Sequence, residues 1–170
     1  MFKKNLSHKI LSFHCIIHQE GLCAQTFPSE LSGVMGIVIK IVNLIMAKGL
    51  NHRQFCEFLK EIDHKYTDLL LNNKVRWLSK GKVLCRFSDC LPAIKLWLEE
   101  NEIIYLELSD DDWLEMFYFL TDLMTHFNQL NIKLQGTRKT AINLLEEVLS
   151  FENKLNLFAN DIINCFIFLY

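Results

Sequence analysis

Apolar residues recur along most of this chain at the three- and four-residue steps of a helix surface, not in the alternation of a half-buried strand. Two prolines and six glycines leave few interruptions, so the pattern predicts an all-α fold. After the turn-rich stretch TFPSELSG, a helix is predicted with Val34, Ile37, Val38, Ile41, Leu44 and Ile45 on its inner face and Gly49 as C-cap. Asn51 is placed to cap a second helix, with the stripe Phe55, Phe58, Leu59 and Ile62, and the pair should form a helical hairpin. Residues 63–81 read less clearly, although Asn72 and Asn73 signal a turn. Ser79 or a neighbour should cap the next helix, whose stripe is Val83, Leu84, Phe87, Leu91, Ile94 and Leu98, with Pro92 kinking or dividing it near Cys90.

The piece IIYLEL fits either an extended segment or a helical continuation. SDDDW reads as a helix start capped by Ser109 or Asp110, opening a helix to about Asn131 that buries Trp113, Met116, Phe117, Leu120, Leu123, Met124, Phe127 and Leu130. Gln135 and Gly136 mark a break before a last long helix, which should bury Leu144, Leu145, Val148, Phe151, Leu155 and Phe158. Near the start, Ile10 to Ile17 is too short for periodicity to separate a strand from a first helical turn.

The chain has 170 residues, 51% of them apolar, enough for one filled core and a single domain over 1–170. A net charge of -2 provides no global field toward nucleic acid or an anionic membrane, so any such contact must be local. The six cysteines are scattered through apolar segments, as in a reducing intracellular compartment. At the N-terminus His14, His18, Gln19 and Glu20 spoil what would otherwise imitate a signal peptide. The run GVMGIVIKIVNLIMA is short for a bilayer and carries Lys40 and Asn43, so no membrane span is expected.

Cys15 and His18 form a C-x-x-H unit, but the sequence offers no second pair at a spacing that completes a zinc tetrahedron. A packed thiol beside a satisfied imidazole and a placed polar contact both fit. No third group or oxyanion hole is readable for a Cys–His nucleophile. Asp110, Asp111 and Asp112 fan out at ~100° steps on a helix and serve as capping groups, not as a converging metal set. The stretch KVRWLSKGK sets Lys74, Arg76, Lys80 and Lys82 around Trp77, and Arg86 lies one turn beyond. Two readings stand side by side: a core Trp with solvated cations, or an indole that stacks on a nucleobase while the cations neutralise phosphates.

Four blocks, FHCIIHQEGLCAQ, IVIKIVNLIMAKGLNHRQFCEFL, DLLLNNKVRWLSKGKVLCRF and FLTDLMTHFNQLNIKLQG, together resemble the middle of hAT-type transposase-derived proteins, among them BED-zinc-finger and general transcription factor II-I repeat domain-containing relatives. The resemblance implies a helical insertion (21–170) within a ribonuclease H-like core, with 1–20 as a residual core strand. It also implies nucleic-acid contact through Cys15 and His18 as a C-x-x-H pair and through Arg76 with Trp77, to which the basic pattern adds Lys80, Lys82 and Arg86. The family's paired Asp and its Glu find no matching positions, so the expectation is a fragment or decayed copy that does not cut or join DNA, has no catalytic residues and needs no metal or other cofactor. The expected partner is DNA, beside protein partners or self-association through apolar surface around Phe13, Ile16 and Ile17, with no membrane and no small-molecule substrate. The expected location is the nucleus. The alternative is a purely structural helical protein or transposon remnant that binds no nucleic acid.

Overall fold

The computed structural model describes residues 28–71, 77–135 and 140–167, with backbone alone at 77–79 and 161–167. Among the described residues the secondary structure is helical throughout: α1 (Ser29–Met46), α2 (Gly49–Glu61), α3 (Trp77–Glu100), a 3-10 turn (Leu106–Ser109), α4 (Asp111–Leu134) and α5 (Ala141–Ile167). The possible strand at Ile10 to Ile17, the residual core strand over 1–20, and the turn residues Asn72, Asn73 and Gly136 lie outside the described residues.

α1 begins five residues earlier than the turn-rich sequence suggested, because Pro28, at φ -51°, is already set for a helix entry and its carbonyl accepts from Ser32 N–H at 3.1 Å. Val34, Met35, Val38, Ile41, Val42 and Ile45 are buried, while the predicted Ile37 and Leu44 pack at the edge of the core. α1 is the one described helix long and apolar enough to cross a bilayer, at 18 residues and mean hydropathy 1.6. Here it is a core helix, packed against α2, α3 and α4.

Two capping assignments change between α1 and α2. Gly49 does not close α1: the helix stops at Met46, no described glycine has positive φ, and Gly49 opens α2. Asn51 does not cap α2 but reaches back, its Nδ2 donating to the Leu44 carbonyl at 3.0 Å, one of the acceptors left free at the end of α1. The left-handed positions fall instead on Asp63 (φ 49°) and Glu102 (φ 57°). At each, paired bonds close the preceding helix in the same way: His64 N–H to Leu59 O and Asp63 N–H to Lys60 O after α2, Ile103 N–H to Leu98 O and Glu102 N–H to Glu99 O after α3. This is the Schellman pattern, made without glycine.

α3 buries all six residues of its predicted stripe and adds Cys90, Ala93 and Trp97. It runs unbroken through Pro92, which is exposed, so water can serve the carbonyl that the missing N–H leaves open. Ser79 therefore sits inside the helix, not at its cap. The ambiguous IIYLEL resolves into an extended link followed by the 3-10 turn. Asp110 caps α4 as expected, its side chain accepting from Asp112 N–H at 3.1 Å, and the helix continues to Leu134.

α3 and α4 form an antiparallel hairpin whose aromatic rings lock the bundle. Phe87 meets Phe117 edge-on at 5.6 Å, Trp113 stacks on Phe117 at 5.4 Å, and Phe55 of α2 meets Trp97 at 5.7 Å. α5 packs chiefly on α4. Phe127 against Phe151, His126 against Phe158 and the Lys133–Glu147 ion pair at 3.0 Å make that seam. Of the residues predicted to be buried on α5, Leu144, Val148, Phe151, Leu155 and Phe158 are half-buried and Leu145 is exposed.

Candidate nucleic-acid interface

The basic stretch feeds directly into α3, which makes the head of that helix the region to test against the sequence reading. Cys15, His18 and Arg76 lie outside the described residues, as do Phe13, Ile16 and Ile17. Trp77 is the first residue of α3, and its side chain is likewise outside them.

The three remaining cations do not form one open surface. Lys80 is half-buried, and burial pulls its ammonium pKa below the usual lysine value. Lys82 is exposed. Arg86 was expected to extend the positive face but turns inward: its guanidinium lies 3.6 Å from the centre of the Tyr66 ring, and Nη1 donates to the Asp68 carbonyl at 2.8 Å. Tyr66 in turn donates its hydroxyl to Asp89 at 2.7 Å. Arg86 thus clamps the segment after α2 onto α3, work that neither Tyr66 nor Asp68 announces in the sequence.

Between these elements lies a cleft of about 400 Å³. α3 contributes Lys82, Cys85, Arg86 and Asp89, and α4 contributes Thr125, Asn128, Gln129 and Ile132, each set at the i, i+3, i+4, i+7 steps of one helix face. Cys85 and Thr125 meet across the floor at 3.2 Å. Gly81 sets how closely the two helices approach: a Cβ there would overlap the Asn128 carboxamide and lie 3.3 Å from the Met124 carbonyl oxygen. Asn128 Oδ1 is closed off from solvent and has no hydrogen-bond partner among the described residues. The cleft therefore combines an exposed cation with an arginine stacked on tyrosine in its wall. One group among the described residues could hold a metal ion, His52, Cys56 and Asp68, behind the wall that Arg86 clamps.

A family model for the FAM200/GTF2IRD2 helical domain matches residues 14–163. The chain belongs to this family. The FAM200/GTF2IRD2 helical-domain match takes in α1 to α4 whole and most of α5, and the all-helical secondary structure of the described residues agrees with it. Among curated proteins, General transcription factor II-I repeat domain-containing protein 2 of Bos taurus is 38% identical over 141 residues, covering 83% of this chain and 15% of that protein. Its namesake in Mus musculus is 37% identical over 144 residues, covering 85% of this chain and again 15% of the relative. The chain thus spans about 15% of the length of these relatives. No solved structure matches it significantly.

Proposed function

We propose that this FAM200/GTF2IRD2-type helical domain is a non-catalytic interaction module of hAT transposase descent, acting in the nucleus, that contacts a single DNA strand at the head of α3. The observation that carries the reading is the cleft lined by the exposed Lys82 and the tyrosine-stacked Arg86, at the end of α3 that begins with Trp77. An indole at that position can stack on a base while Lys82 neutralises a phosphate. The transcription-factor name of the relatives supports a nuclear setting, and the resemblance to transposase blocks supports the descent. The Asp110 carboxylate accepts from Asp112 N–H at the start of α4, so no nuclease role is assigned to it.

Fluorescence anisotropy with single-stranded and hairpin DNA across a salt series tests this reading. Binding at low salt should weaken in Trp77→Ala, and Lys82→Ala should reduce the salt slope by ~0.7 for one lost phosphate contact to a single strand. No binding at low salt, or binding that neither variant changes, would sink the idea.

A second reading follows from α5. Its outer face exposes Ile142, Leu145, Leu149 and Leu157 while its inner face is only half-covered by α4, a surface suited to another protein or a second copy. Leu145→Glu combined with Leu149→Glu should then convert an associating chain to monomer in sedimentation velocity, leaving DNA binding intact.

A further inference from the structure

α2 carries His52 and Cys56 one turn apart, so both side chains leave the same helix face. The segment after α2 brings Asp68 across to them: His52 Nε2 lies 2.9 Å from Asp68 Oδ2, and a ligand atom from each of the three residues falls within 4.8 Å of the others. All three are half-buried. Asp68 is held in place from two further directions. Its Oδ1 accepts from Leu69 N–H at 2.7 Å, and its backbone carbonyl accepts from the tyrosine-stacked Arg86 at 2.8 Å. The 2.9 Å histidine–aspartate contact and a thiol hydrogen bond to the same carboxylate bring one nitrogen, one sulfur and one oxygen donor to a single point.

We propose that His52, Cys56 and Asp68 form a site for a divalent transition metal of the zinc class, independent of the DNA-contact reading. One imidazole nitrogen, one thiolate sulfur and one carboxylate oxygen make a mixed donor set that favours zinc over the hard cations magnesium and calcium. Tetrahedral zinc bonds of roughly 2.0 to 2.3 Å hold such donors about 3.4 to 3.6 Å apart, so the group reaches coordination by small side-chain rotations, with the histidine–aspartate contact opening slightly. Three protein ligands leave the fourth position to water or to a partner's side chain. Forming the sulfur–metal bond displaces the thiol proton to solvent. A bound ion would staple α2 to the segment carrying Tyr66 and Leu70, one wall of the cleft.

The test uses the whole 170-residue chain. In the wild type, zinc should slow alkylation of Cys56 read by peptide mass spectrometry while leaving the similarly half-buried Cys85 as the internal reference. Cobalt(II) should give a thiolate charge-transfer band that is lost in Cys56→Ala, and the near-isosteric Asp68→Asn should weaken binding by more than about tenfold. Zinc that protects neither cysteine or both equally, or a cobalt band that survives Cys56→Ala, overturns the site. Because the alkylation measurement needs no variant, a folding defect in a mutant cannot obscure the answer.

Discussion

α3 and α5 are close in length, 24 and 27 residues, and each carries an apolar stripe at helical spacing, yet their fates differ. α3 is enclosed by α1, α2 and α4, and its stripe is buried almost completely. α5 rests chiefly on α4, and through Asn160 no α5 residue is fully buried. Periodicity in sequence specifies that a helix has an apolar face; the number of neighbours that cover it decides how much stability that face contributes. The molecule should therefore respond to damage as a cooperative bundle with a more loosely held helix on one side.

The sharpest way to break this contrast is at its deepest point. Phe87→Ala empties a fully buried ring site facing Phe117 and should cost about 3 to 5 kcal/mol in denaturant unfolding, enough to unfold a marginal domain. If the loss were no larger than that of an α5 variant, the distinction between the helices would fail.

A pH titration sharpens the same point from within α3. Burial pushes the Cys90 thiol up from 9.0 to about 11, so the folded state favours the neutral thiol. Stability should be whole below pH 9 and drain as pH climbs toward 11, by about 2 to 3 kcal/mol for a two-unit shift. Unfolding curves of Cys90→Ala should lack that slope.

On α5 the effects should be smaller and local. Phe151→Ala removes a half-buried ring from Phe127 and should cost about 1 to 2 kcal/mol, with hydrogen exchange quickening along α5 while α3 amides keep their protection. Exchange that quickens equally in both helices would join them into one unit. Smallest of all, Lys133→Ala breaks a surface ion pair in the α4–α5 seam and should shift stability by no more than about 0.5 kcal/mol, an effect that added salt should erase.

Much of the fold is legible where the signal is local. The six-residue stripe of α3, the Asp110 cap and the apolar face of α4 depend on spacing and on backbone groups a few residues away. The errors arise where a residue's role depends on something distant. Asn51 has the chemistry of an N-cap but finds a better-placed acceptor in Leu44, on the neighbouring helix. Leu145 has the right period for burial but is left exposed, with no described element above it. At the candidate interface, helical spacing correctly groups Lys82 with Arg86, yet the direction of Arg86 is set by Tyr66 and by the Asp68 carbonyl, which no periodicity connects to it. The i, i+4 spacing of His52 and Cys56 went unread in the sequence, and Asp68 joins the pair only once the segment after α2 has folded back.

The two glycine-free helix ends at Asp63 and Glu102 carry a practical consequence. Each holds a side-chain-bearing residue in a backbone shape that disfavours one, and both side chains are exposed. Exchanging either for glycine would relax the local geometry without touching the core, the cleft or the His52–Cys56–Asp68 group. An experimenter seeking a hardier version of this domain for crystallisation or binding work has two independent positions at which to begin.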